Sequence, residues 1–332
     1  MKAPDTNRCS YGEAIFSAFD YLLTNYSEVF VIGQGLWSPW YVGNTMTNLD
    51  KKFGCDRIID SPVSESATTG AAIGASLTGM RPIVVHPRMD FMLYAMDSIV
   101  NQAAKWSYMF GGQDHPAVTI RGIINRGGEQ GAQHSQSLHA WFAHIPGIRV
   151  VMPATVSDAR DLLIASVLCD DPVLYIDDRW LYDQSAELGP IVELDLSREG
   201  PRCLLSGSDV TVVASGYSTS LALQAAAILS NDGIKCDVID LRVINPFNPL
   251  AIVESVKRTR RLVVVDGGWS SCGMASEVIA SVCERIPLGC FLNLPIRITL
   301  PSAPAPSAKI LENSYYPDVS RVVRQVNQML NY

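Results

Sequence analysis

Glu65 is the only ionisable residue between Asp60 and Arg81, in the stretch DSPVSESATTGAAIGASLTGMR. A lone carboxylate heading a run of Ala, Gly, Ser and Thr has two readings. In the first turn of a helix it is favoured by the positive end of the helix dipole. Facing a ligand, it can hold or exchange a proton. Farther along, HSQSLHAWFAH carries His134, His139 and His144. A spacing of five residues, repeated, does not bring the three rings onto one helical face, which disfavours a metal cluster. Each is then a structural histidine or a proton-handling one. Asp97 and Asn101 stand four apart and can bond each other along a helix. GQG (33–35) has no third glycine at the dinucleotide spacing and GGWSSCG (267–273) misses the G-x-G-x-x-G fingerprint, so no nicotinamide site is expected.

Those residues need rigid elements to hold them. Short β-branched runs alternate with helical stretches, the pattern of parallel sheets covered by helices. The expected strands of a first unit are VFVIG (29–33), RPIVVH (81–86), AVTIRG (117–122), IRVVMPA (148–154) and PVLYID (172–177). Between them SATTGAAIGASLTG, FMLYAMDSIVNQAAKWSYMF and SDARDLLIASVLCD are expected helices, the last capped by Ser157. A polar stretch breaks the pattern near 183–207, and a second series of strands and helices follows from DVTVVASG onward, with Gly233 suited to a helix C-terminus. The expectation is an α/β chain of two domains, each a mainly parallel sheet flanked by helices: 1–185, a linker at 186–206, and 207–332.

Composition agrees with that class. Hydrophobic residues make up 48% of the 332 and charged residues 18%, enough for two sizeable cores. A net charge of −7 argues against a general nucleic-acid binder. No apolar run reaches the roughly 18–20 residues of a membrane span, and MKAPDTNRCSYGEAIF has no signal-peptide core. The eight cysteines form no CxxC pair and are expected to be reduced thiols of a cytoplasmic protein.

Taken in order, DSPVSESATTGAAIGASLTGMRPIV, DFMLYAMDSIVNQAAKWSYMFGG, GAQHSQSLHAWFAHIPGIRVVMPATVSDARDLL and DDPVLYID are far more specific than any single motif. The chain resembles the beta subunit of the thiamine-diphosphate-dependent decarboxylase component of 2-oxo acid dehydrogenase complexes, the pyruvate, branched-chain and acetoin group of the transketolase superfamily. GSDVTVVASG, VIDLRVINPFN and VVVDGGWSSCGMASEV resemble the transketolase C-terminal domain. The resemblance covers nearly the whole chain. It implies a pyrimidine-binding domain followed by that C-terminal domain. It also makes Glu65 the carboxylate against a ring nitrogen of the aminopyrimidine, where it favours the imino tautomer that takes a proton from the thiazolium carbon. By the same resemblance Phe91 lies against the pyrimidine and His134 handles substrate and protons. His139 and His144 are left structural.

The family holds Mg²⁺ and the diphosphate with a GDG motif and a following Asn pair, and this chain contains neither GDG nor NN. The resemblance therefore implies an alpha subunit carrying that motif, contact between two beta chains in an α2β2 assembly, and a lipoyl acyltransferase as acceptor. Val167 and Asp170 fall where some relatives bind a structural potassium ion. The chain also departs from the family pattern. Gln34 replaces an acidic residue after the first-strand glycine and Val85 replaces a glutamate. HPRMD brings His86 and Arg88 close to Phe91, and INRGGEQ brings Arg126 and Glu129 into a loop of small residues. Added arginines suit a carboxylate or phosphate on a larger substrate, so His86, Arg88 and Arg126 are candidate substrate contacts. Two other functions stay open. One is a split transketolase-like carboligase using an aldehyde or sugar acceptor; the other is a non-catalytic scaffold or regulatory homologue.

Overall fold

The structure, a computed structural model, describes residues 8–330. The first and last residues of the expected domains (1–7 and 331–332) lie outside the described residues. The chain forms two units: one extends to Asn125 and resumes over His144–Glu199, and the other comprises Arg126–Ala143 and the chain from Gly200 onward. Among the described residues no helix is long and apolar enough to cross a membrane.

The first unit opens with strand β1 (Arg8–Ser10) and helix α1 (Tyr11–Asn25). Ser10 starts α1 by a capping box, its Oγ accepting from the Glu13 amide at 3.2 Å and its own amide donating to the Glu13 carboxylate at 2.7 Å. There follow β2 (Val29–Gly33), β3 (Tyr41–Asn44), α2 (Leu49–Phe53), β4 (Ile58–Asp60), α3 (Glu65–Ser76) and β5 (Arg81–His86). The stretch expected as one helix from Phe91 to Phe110 is three pieces. They are a 3₁₀ turn (Phe91–Ala95), a π-helical segment (Asp97–Ala103) and α4 (Ala104–Met109). Within it Asn101 Nδ2 donates to Asp97 Oδ1 at 2.7 Å.

Strand β6 (Thr119–Ile124) comes next, then α5 (His139–Ala143) in the segment belonging to the second unit, then β7 (Arg149–Val151), α6 (Val156–Leu168), β8 (Val173–Asp178) and β9 (Ser185–Glu187). Thr155, not Ser157, caps α6: its Oγ1 accepts from the Asp158 amide at 3.2 Å. A cap side chain must reach the second or third helical amide, and Ser157 already lies inside the first turn. The parallel strands lie in the order β7-β8-β6-β5-β2-β4, while β1 and β9 form an antiparallel ribbon. The interior is rich in Val, Ile and Leu but also holds buried charged residues, among them Arg121, Asp177 and Arg160. Arg121 on β6 is fully buried and pairs with both Asp177 oxygens, at 2.9 and 2.8 Å. Thr45 Oγ1 accepts from its Nη1 at 3.0 Å and the Tyr182 hydroxyl from its Nη2 at 2.9 Å.

The second unit runs β10 (Arg202–Leu205), β11 (Val210–Ala214), α7 (Tyr217–Asn231), β12 (Cys236–Asp240), β13 (Val243–Asn245), α8 (Leu250–Thr259), β14 (Leu262–Trp269), α9 (Met274–Cys283), β15 (Ile296–Leu300), α10 (Lys309–Tyr315) and α11 (Val319–Leu330). Its sheet has the order β10-β12-β11-β14-β15, with only β10 antiparallel. Val212, Val238, Val263 and Val265 face Ala222, Ala226 and Leu229 of α7 and Val322 and Val326 of α11. Each Val or Leu side chain so removed from water contributes about 1.5–3 kcal/mol. Gly233, at φ +81°, ends α7 while its amide donates to Ser230 O at 3.1 Å.

Candidate active site

Helix α3 begins at Glu65, whose side chain is buried to 9% exposure. Ser64 makes no side-chain cap bond, and among the described residues the Glu65 carboxylate has neither a hydrogen bond nor an ion pair. Burying a carboxylate without a partner is costly. Proximity to the helix N-terminus offsets only part of that cost, about 0.3–1 kcal/mol. The small residues after it let neighbours approach closely. A Cβ added at Gly70 would stand 3.6 Å from Ser98 Oγ, and that hydroxyl donates to Ser66 O at 3.5 Å. Thus α3 lies against the π-helical segment and the 3₁₀ turn as well as β5. Single π turns within helices are often found at functional sites.

Phe91, half-buried, is the first residue of the 3₁₀ turn. Its amide donates to Arg88 O at 3.2 Å, and the Met89 amide donates to Ile123 O at 2.9 Å, tying HPRMD to the end of β6. His86 ends β5 and points inward at 3% exposure, with Nε2 3.2 Å from Thr69 Oγ1 on α3. Burial lowers its pKa to about 4, so the ring is neutral at physiological pH. Arg88 is half-buried, and the Asn125 amide oxygen, oriented toward it, accepts from its guanidinium at 2.9–3.1 Å.

Near the expected potassium position, the oxygens are engaged by a side chain. Arg81 Nη1 donates to the carbonyls of Val167 and Cys169, both at 3.0 Å, and Nη2 to Asp170 Oδ1 at 2.6 Å.

Arg126 and His134 belong to the second unit. The loop there needs unusual backbone: Gly127, Gly128, Glu129 and Gly131 all have positive φ, Glu129 at +61°. A non-glycine residue held so costs about 1–3 kcal/mol. The Glu312 carboxylate offsets this by accepting from the Glu129 amide at 3.0 and 3.2 Å. Arg126 is 6% exposed, with its guanidinium 6.0 Å from the Tyr316 ring centroid. A Cβ at Gly267 would come within 2.9 Å of Arg126 Nη1, so the glycine of DGGW is what admits the arginine. His134 is half-buried three residues beyond Gly131. His139 is fully buried, with Nδ1 2.8 Å from Ser137 Oγ and Nε2 2.9 Å from Asp266 Oδ1.

Comparison with known proteins speaks to the family and the fold. The family model for the transketolase pyrimidine binding domain matches residues 7–184, and that for the transketolase C-terminal domain matches 202–322. The mitochondrial pyruvate dehydrogenase E1 component subunit beta of Rattus norvegicus is 35% identical over 340 residues, covering 99% of this chain and 92% of its own. The chain belongs to the pyruvate dehydrogenase E1 beta-subunit family. A second member, the pyruvate dehydrogenase E1 component subunit beta of Rickettsia felis, is 36% identical over 321 residues, covering 96% of this chain and 98% of its own. In fold, the E1 beta-type chain is similar to a solved split-gene transketolase, described as an inactive beta4 tetramer. The TM-score is 0.77 at 23% identity, over 97% of this chain and 98% of the other.

Within this E1 beta-family chain, Glu65, His86, Arg88 and Phe91 fall in the first unit and Arg126 and His134 in the second. Sequence reasoning missed Arg179, the residue after β8, whose Nη2 donates to the Tyr41 carbonyl. The only local signal was its place directly after a strand. It also missed the pairing of His139 with Asp266, 127 residues apart.

Proposed function

We propose that this chain is the beta half of a thiamine-diphosphate-dependent 2-oxo acid decarboxylase of the dehydrogenase type, passing an acyl unit to a lipoyl carrier. The observation that carries this reading is the Glu65 carboxylate, buried at the start of α3 with no protein partner among the described residues, inside a family pyrimidine-binding domain. A donor set of this kind fits the cofactor: Glu65 would bond a ring nitrogen of the aminopyrimidine, and Phe91 would offer its ring face. Bound there, thiamine diphosphate supplies a carbon nucleophile for the substrate's keto group.

The chain's own residues do the rest. Glu65 holds a proton at the ring nitrogen. His86, uncharged because it is buried, walls the site without competing for that proton. His134 is the proton-handling side chain on the substrate side. The alpha partner carries the GDG and Asn-pair motif for Mg²⁺ and the diphosphate, with two chains of each kind assembled as α2β2 and a lipoyl acyltransferase as acceptor. Exposed Trp37, Trp40, Val63 and Tyr94, in loops and turns after β2, before α3 and after Phe91, suit coverage by a partner. Arg81 supplies the positive charge that a potassium ion near Val167 and Asp170 would provide. The eight free thiols suit the reducing cytoplasm.

Arg88 favours a second reading, a split carboligase that transfers its two-carbon or acyl unit to an aldehyde or sugar. The test is to co-express the chain with its alpha partner, add 2-oxo acid, and supply either a lipoylated carrier or an aldehyde. Acyl transfer to the carrier is expected; product formed only with the aldehyde overturns the dehydrogenase reading. Failure of the pair to bind thiamine diphosphate would leave only a scaffold role.

A further inference from the structure

We propose that Arg88 and Arg179, with Asn125 between them, form an anion-recognition site for a second charged group, a carboxylate or phosphate, on the substrate or acceptor. The inference rests on the catalytic reading above and names the substrate class of that site.

Its basis is the register of three neighbouring parallel strands. Strand β6 lies between β5 and β8, with His86 of β5 opposite Gly122 and Asp178 of β8 opposite Ile124. Arg88 follows the end of β5 by two residues, Asn125 follows β6 by one and Arg179 follows β8 by one. The three side chains therefore leave the carboxyl edge of the sheet from adjacent strands spaced about 4.8 Å apart, the edge where open α/β sheets bind ligands. Both guanidiniums are half-buried. Arg88 Nη1 donates to the Pro87 carbonyl at 3.2 Å, the Asn125 amide oxygen accepts from the Arg88 guanidinium, and Arg179 Nη2 donates to the Tyr41 carbonyl.

Like charges held side by side repel. The pKa of Arg88 is lowered, first by burial and then by the Arg179 charge, against the pull of Tyr41 and Asp90. The Nε of Arg179 is buried with no hydrogen-bond acceptor among the described residues. An anion between the two forks would relieve the repulsion and satisfy a donor, the arrangement for which arginine is suited. The Asp60 carboxylate does not serve there, since it accepts from the Gly35 and Leu36 amides at 2.6 and 3.3 Å. A substrate with a single carboxylate loses it as carbon dioxide. A permanent two-arginine site therefore points to a second anionic group that the reaction keeps.

The experiment is calorimetric titration of the co-expressed assembly with glutarate and, separately, inorganic phosphate, alongside a titration with thiamine diphosphate. Saturable binding of one probe is expected, weakened at least about 10-fold in Arg179→Met and in Arg88→Gln. Arg88→Lys is expected to recover only part of the affinity, because the ammonium lacks the planar fork. The probe that binds assigns carboxylate or phosphate. No saturable binding of either probe, or equal binding by wild type and both variants, overturns the proposal. Thiamine diphosphate binding is read independently: its loss in the wild type contradicts the cofactor reading, not the arginine site.

Discussion

The Nε2 of His139 lies 2.9 Å from Asp266 Oδ1, and both side chains are buried in the second unit. The Asp266 oxygens also accept from the Gly268 and Ala275 amides at 2.9 and 3.0 Å. Ser137 Oγ completes the set on the other ring nitrogen. The backbone of β14, the start of α9 and the helix α5 are thus fastened through one carboxylate. A Cβ at Gly268 would stand 3.2 Å from His139 Cε1, so that glycine leaves room for the imidazole.

Acid should loosen this unit in a definable way. Burial by itself would raise the Asp266 pKa, but the His139 charge and the hydrogen bonds from His139, Gly268 and Ala275 outweigh it and hold the carboxyl below its usual range. A folded pKa below the unfolded one, about 3.9, stabilises above the unfolded value. That contribution is lost as pH falls through the folded pKa. Removing one partner of a buried pair costs about 3–5 kcal/mol. Asp266→Asn should therefore lower Tm clearly at pH 7, and the gap to wild type should shrink below about pH 4. A gap constant across pH would disprove the linkage.

Arg121 and Asp177 are the corresponding anchor of the first unit. Burial opposes the Arg121 charge, but Asp177 beside it prevails and raises the guanidinium pKa. Arg121→Met alone leaves Asp177 uncompensated and should cost about 3–5 kcal/mol in denaturant unfolding. Adding Asp177→Leu should restore much of that, because an apolar pair of similar volume can replace a buried ion pair. Equal losses in the single and double variants would show that the pair is not the source.

Because Arg81 engages Val167 O, Cys169 O and Asp170, added potassium should not stabilise the protein. Replacing sodium by potassium chloride at equal ionic strength is expected to move Tm by less than about 1 °C, while Arg81→Met lowers it by roughly 2–4 °C. A potassium-specific rise of several degrees in wild type would locate a cation site that the arginine does not fill.

Much of this was legible beforehand, for identifiable reasons. Strands such as Arg81–His86 and Val210–Ala214 are buried on both faces, so their β-branched runs stand out without any long-range information. Glu65 was legible because no other charge competes for attention over twenty residues. What the sequence hid was set by contacts between distant segments. Phe91 to Phe110 has an even helical composition, yet packing against α3 divides it into 3₁₀, π and α pieces. Ser157 and Thr155 are equally good cap residues by type, and only the position of the first turn decides for Thr155. The assignment of Arg126–Ala143 to the second unit depends on partners such as Glu312 and Asp266, more than a hundred residues away. Arg88 and Arg179 become neighbours only once the strand order is known.

The central claim, that Glu65 is the carboxylate serving the cofactor, is tested most directly by turnover of Glu65→Gln in the assembly with its alpha partner. Glutamine keeps the side chain's shape and removes its capacity to hold the proton. Decarboxylation of the 2-oxo acid is expected to fall at least about 100-fold, with the fold and the assembly intact. Full turnover by Glu65→Gln would contradict it.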